Sequence, residues 1–223
     1  MERPHSRRRG RLLVVPVIAV AVAAAACGIN GERGSGNVKR EPRQLASFTE
    51  IDVGSVVDVD VTVGGAQSVE VSGDDNLVPL VSTEIKAGRL VIRTTKKVDP
   101  KLDLVVHIVV PNLTGLWMTG ASHAVLRGVR GDKLTLNVSG AGSVSASGSI
   151  REVDIDISGA GKIDAKELKA ETARIALSGA GSLSVYASKT LDVHVSGAGK
   201  VSYYGDPPEV RKDISGAGSF EKK

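Results

Sequence analysis

The chain has 223 residues, 41% hydrophobic but only 3% aromatic, with 26 glycines and one cysteine. That length supports a buried core, and a single cysteine excludes a disulfide framework or a multi-cysteine zinc site. The formal charge of +4 is misplaced for nucleic acid: residues 1–26 hold five arginines against Glu2, and removing them from 29 basic and 25 acidic residues leaves 24 of each. A balanced remainder has no electrostatic footprint for a polyanion such as DNA or RNA, so no nucleic acid partner is expected.

Residues 1–26 read as a signal peptide. Arg7, Arg8, Arg9 and Arg11 form a positive start, and Leu12–Ala26 is an apolar run broken by Pro16. Such a run is short for a bilayer span and suits a secretory segment. It ends in Ala24-Ala25-Ala26-Cys27. This resembles the bacterial lipobox, with Ala24 where that pattern usually has Leu. The resemblance implies lipid attachment at Cys27 and a protein facing outward from the cell envelope; an ordinary signal peptide with an incidental cysteine is the alternative. Two or more acyl chains anchor firmly where one binds marginally. The Ser6–Arg9 run also admits twin-arginine export. Residues 27–44 are polar, with Gly28, Gly31, Gly34 and Gly36 among charges, and read as a flexible tether.

Residues 45–223 read as one β domain. Val57–Val63 alternates apolar and polar, Gly64-Gly65 turns the chain, and Ser68–Ser72 alternates again. Asp74–Leu80 could open a short helix limited by Pro79. Ile85–Val91 reads as a hairpin about Gly88. Leu102–Val110 is continuously apolar but for Asp103 and His107, which predicts a strand buried on both faces with a satisfied buried histidine.

From residue 119 one phrase recurs. Ser139-Gly140-Ala141-Gly142 is followed by copies starting at Ser158, Ser178, Ser196 and Ser215, and preceded by the degenerate Thr119-Gly120-Ala121-Ser122. A period of 18–20 residues signals a solenoid in which each unit buries its apolar face against its neighbours. One residue before the serine stand Met118, Val138, Ile157, Leu177, Val195 and Ile214; three before stand Leu116, Leu136, Ile155, Ile175 and Val193, with Lys212 breaking that column. The alternation predicts stacked parallel coils with aliphatic files inside: a parallel β-helix. The outward column Thr135, Asp154, Arg174, Asp192, Arg211 alternates in charge, predicting contacts Asp154–Arg174, Arg174–Asp192 and Asp192–Arg211. Serine, glycine and alanine suit tight stacked corners; a phosphate loop would need a helix to follow, and calcium repeats would need an aspartate in every copy.

The order Ser47–Val53, Gln67–Val71, Asp75–Leu77, Gly88–Ile92, Val109–Leu113 and then the coils resembles the family described as "putative auto-transporter adhesin, head GIN domain", over roughly residues 46–219. The resemblance implies a right-handed parallel β-helix and an envelope location, and carries no catalytic residues.

No His/Cys/carboxylate set has ligand spacing and no Gly-x-Ser-x-Gly elbow is present, so neither a metal nor a cofactor is expected. The pairs Asp58/Asp60 and Asp154/Asp156 each share a strand face, at a separation glycosidases can use, but alternating aspartate also keeps a wet face soluble. Trp117, Asn137, Asp156 and His194 share one outward column and form the candidate binding surface, with Trp117 either exposed for a sugar or protein or covered by a loop. The function expected is non-catalytic binding or scaffolding, with a surface glycan or an envelope protein as partner. The rivals are a polysaccharide-active enzyme and an envelope-stress sensor acting through a membrane partner.

Overall fold

A computed structural model describes residues 31–223, so Cys27 and the signal region lie outside the described residues. The protein is nearly all-β, with parallel coils stacked into a β-solenoid of about five turns. Strands His123–Gly140, Ser143–Gly159, Lys162–Gly179 and Ser182–Gly197 pair in parallel, each with the next. Val138, Ile157, Leu177, Val195 and Ile214 stand opposite one another in consecutive coils. All but Ile214, which is partly buried, lie in the core. The file the glycine phrase predicted is therefore continuous.

The phrase itself has two separate steric reasons. Its first glycine turns the corner at positive φ, and in Gly159 (φ 120°) a Cβ would stand 2.7 Å from the Gly140 carbonyl oxygen of the coil before. That oxygen accepts a 2.9 Å hydrogen bond from the Ala160 N–H, so corners stack through their backbone. The second glycine leaves room for the aliphatic file: a Cβ on Gly161 would lie 2.8 Å from Val138 Cγ1. Register shifts fall between Leu126 and Val129, Ser145 and Ser147, Ala165 and Lys169, and Ala170 and Thr172. The unequal coil lengths are taken up there, and the corner and the strand leading into it stay in step.

The solenoid continues below the repeated phrase. Glu50–Ser55 pairs in parallel with Gly115–Gly120, setting Val53 against Met118, and Asp58–Val63 pairs with His123–Gly140. Gly54-Ser55-Val56-Val57 thus forms a corner without the phrase, and Ser55 takes the left-handed conformation (φ 80°) that glycine supplies above it. Arg89–Thr94 and Val105–Val110 add a parallel layer beneath. Antiparallel strands then close the end: Val81–Lys86 on Arg89–Thr94, Ser68–Asp74 on Val105–Val110, and Val38–Pro42 on Ser68–Asp74. The hairpin at Ala87-Gly88 is as expected, with both residues at positive φ.

Three expectations need correction. Residues 31–44 are not a free tether: Glu32–Arg33 pairs with Val98–Asp99, and Val38–Pro42 joins the cap. The cause is the fully buried Asp74 carboxylate, which accepts hydrogen bonds from the Gly36 (2.6 Å), Lys101 (3.0 Å) and Leu102 (3.1 Å) amides. The second concerns Val105–Val110, which buries only one face, through Val106, Ile108 and Val110; His107 is exposed. Its neighbours on both edges are strands, and no layer covers the outer side. Finally, Asp74–Leu80 holds only a 3₁₀ turn at Val78–Leu80, with Leu77 and Val78 buried. No helix of the described residues is long and apolar enough to cross a membrane.

Candidate functional site

Parallel register builds the candidate face directly. Asp52, Trp117, Asn137, Asp156, Ala176, His194 and Asp213 lie opposite one another in successive coils. Beside them runs the file Thr135, Asp154, Arg174, Asp192, Arg211. The small Ala176 leaves a shallow dent of about 410 Å³ between these files, bordered by Asn137, Asp154, Asp156, Arg174, Asp192 and His194. Three of the four candidate binding residues therefore meet around one depression, and Trp117 stands one coil beyond Asn137.

Trp117 is half-buried and not covered by a loop. The Arg89 guanidinium lies 3.8 Å from its ring centroid and is held by Glu50, to which its Nε donates at 2.9 Å. Gly115 makes the ring position possible, because any side chain there would run into it. The partner of Trp117 is thus an arginine delivered by the N-terminal hairpin.

The charged file behaves differently from its expected alternation. Arg174 meets Asp154 at 3.3 Å, as predicted, but its closer partner is Glu152 at 2.6 Å. Lys133 also bonds Glu152 (2.8 Å) and Asp154 (2.5 Å). Hydrogen bonds from Lys133 and then Arg174 hold the Glu152 carboxyl below its ordinary range, and Lys133 and Arg174 are correspondingly raised. The expected Arg174–Asp192 and Asp192–Arg211 pairs do not form; Arg211 turns to Glu209 on its own strand. Asp156 and Asp192 consequently have no ion pair or hydrogen bond among the described residues, and both face the dent. His194 donates or accepts at 3.1 Å with Asp213 and is otherwise exposed, the solvated surface position expected of it.

A Ser–His–Asp row that sequence reasoning did not find lies on another face. Ser72 Oγ is 3.1 Å from His107 Nε2, and His107 Nδ1 is 3.9 Å from Asp60 Oδ2. Antiparallel pairing of Ser68–Asp74 with Val105–Val110 brings the first two together, and nothing in local sequence signals that pairing. The row is not a hydrolytic triad. Asp60 is engaged by Arg127, and the strand carrying Ser72 is paired on both edges, leaving no free amides for an oxyanion. Of the paired acids, Asp60 and Asp154 are tied to cations and Asp58 accepts from the His123 amide at 2.7 Å, while Asp156 has no such partner among the described residues. No group of three or more metal-ligating side chains occurs among the described residues.

Residues 47–207 match the family model described as "putative auto-transporter adhesin, head GIN domain". The chain belongs to this family. The fold agrees with solved relatives. A "putative adhesin" from Bacteroides fragilis superposes with a TM-score of 0.71 at 23% identity, covering 86% of this chain and 100% of that one. A "putative lipid binding protein" from Parabacteroides distasonis gives 0.57 at 21%, covering 86% and 98%. A "putative adhesin" from the same species gives 0.55 at 23%, covering 86% and 99%. No curated protein matches the chain. At these identities the likeness establishes the fold, and the head GIN membership of the chain points to the surface or envelope of the cell.

Proposed function

We propose that this head GIN chain is a non-catalytic binding module displayed outward at the bacterial envelope on a lipid attached to Cys27, with a surface glycan or an envelope protein as partner. The observation that carries the reading is the dent at Ala176: a rigid parallel ladder presents two carboxylates, Asp156 and Asp192, that have no partner of their own. Glu152, Asp154, Asp164 and Glu171 on the same coils each meet a cation, whereas these two are available to an incoming donor, whether sugar hydroxyl, amide or amine. The aliphatic files behind the face fix donor and acceptor positions in advance, which lowers the ordering cost of binding.

The test is a glycan array and an envelope-protein pull-down with the full chain and an Asp156→Ala/Asp192→Ala variant. Retention of a partner by the parent and its loss in the variant supports the reading; silence in both removes it. Membrane attachment is checked separately by fractionation: Cys27→Ser should move the protein from the membrane to the soluble fraction.

A further inference from the structure

A second outward file differs from the rest of the coil surface in its chemistry. Arg130, Ser149, Lys169, Tyr186 and Tyr204 stand opposite one another in successive coils. At the usual interstrand spacing they extend over about 19 Å. The file lies just beyond the register shifts, on a stretch of the coil that the dent at Ala176 does not include. Its cations lack the carboxylate partner that several other cations of the coils have. Lys133, Arg151, Lys189 and Lys200 each meet a carboxylate within 3 Å. Arg130 forms no ion pair among the described residues, its guanidinium folded across Gly64. Lys169 meets only the Lys166 carbonyl at 3.4 Å and the Tyr186 ring, 4.2 Å from its centroid. Four acids stand two residues from members of the file: Asp132, Glu171 and Asp206 are held by Arg151, Lys189 and Lys222, and Glu167 forms no ion pair among the described residues.

The charge beyond residues 1–26 balances overall, but a local file of cations can still meet anions, and we propose that this file is a docking track for an acidic sugar polymer lying along the solenoid axis. The two halves of the file supply two complementary contacts. Arg130 and Lys169 offer charge-assisted donors to carboxylate or phosphate groups, and guanidinium in particular binds both in a planar fork. Tyr186 and Tyr204 offer an apolar ring body with a polar tip, suited to the C–H face and hydroxyls of a pyranose. Ser149 adds a hydroxyl between the cations. An acidic peptide would use the cations and leave the tyrosines without a role, whereas a neutral glycan would use the tyrosines and leave both cations unmatched. Only a polymer carrying both rings and anions engages the whole file. The file is also a one-dimensional array with a fixed step, matching an extended chain better than a compact ligand.

This goes beyond the function proposed above by naming a partner chemistry on a different file, and its failure is separable from failure of that reading. Binding of the full chain is measured to polygalacturonate and to dextran phosphate, with plain dextran and polyglutamate as controls. Binding to one or both acidic polysaccharides, weakened by salt and absent from the two controls, is expected; the stronger of the two identifies the anion. Arg130→Gln with Lys169→Gln should weaken binding about five- to tenfold. Tyr186→Ala with Tyr204→Ala, its fold confirmed by circular dichroism, should weaken it by a similar factor. Glu167→Gln should tighten it, a gain that general damage to the fold would not produce. Glu84→Gln, at an exposed position on the N-terminal hairpin, should leave it unchanged. Equal binding to polyglutamate, no binding to either acidic polysaccharide, or file variants that bind like the parent would overturn the proposal.

Discussion

The two ends of this molecule reach stability by different routes. From Gly115 onward each coil repeats the last, and the core is a set of aliphatic files in which every member is supported by equivalents above and below. From Gly31 to Val110 no unit repeats; parallel and antiparallel strands are mixed, and single long-range contacts decide the arrangement. Asp74 is the plainest case, since one buried carboxylate ties residue 36 to residues 101 and 102. Repetition spreads the cost of a defect in the coils over neighbours, while in the cap each defect is local and unshared.

The comparison is most severely tested at a corner. Gly159→Val would place a β-branched residue at φ 120° with its Cβ against the Gly140 carbonyl. A loss of about 3–5 kcal/mol is expected by chemical denaturation. The same substitution at Gly88, also at positive φ but with nothing within 4 Å of a Cβ, should cost less, about 1–2 kcal/mol. Equal costs would remove coil stacking as the reason for the phrase.

The cap is tested at its latch. Asp74→Ala leaves three part-buried amides without their carboxylate acceptor and should cost about 2–3 kcal/mol, with faster hydrogen exchange at residues 36–42 and little change in the coils. The same carboxylate predicts an acid limb. Burial pushes its pKa up, but the hydrogen bonds from Leu102, Gly36 and Lys101 outweigh burial and hold it below the ordinary range. Its contribution is therefore complete above the unfolded pKa of about 4 and is lost as pH falls through the depressed folded value. Stability of the parent should drop in that window, and the drop should be smaller in Asp74→Ala. A uniform rise in exchange across the chain would show that cap and coils are one unit.

The smallest effect belongs to the outer face. Glu152→Gln weakens the links to Lys133 and Arg174, both half-exposed or more, and should change stability by less than about 1 kcal/mol, shrinking further in salt. A larger change would mean that the outer ladders hold the register, a task assigned above to the aliphatic files.

The same contrast governs what sequence could reveal. Coil register was legible because Val138, Ile157, Leu177 and Val195 recur at a constant offset from the glycine phrase, and parallel stacking turns that offset into contact. The N-terminal coils were legible only as irregular ones, their register unmarked, because at the corner beneath Ser55 does the work of glycine and Val56 that of alanine. Asp74 reads as one of three polar residues in a row, and only the return of Gly34–Gly36 shows that it is buried. Asn137, Asp156 and His194 were placed together correctly, since a file position is a matter of counting. Of the expected charge pairs only Asp154–Arg174 formed, because long side chains choose among several neighbours, and Arg174 chose Glu152 over Asp192. Lys169 came opposite Tyr186 only through a register shift, which no periodicity announces, whereas Tyr186 and Tyr204 share a file at an equal offset from their serines.

Those shifts have a consequence for how such a chain can change. Because the slack between coils of unequal length gathers near Ser147 and Lys166, with one further shift between Ala170 and Thr172, residues can be added or lost along that side while the wall leading into the glycine corners keeps its step. The molecule thus has a tolerant margin and an intolerant one, and new loops grafted on the tolerant side would leave the remaining surface undisturbed.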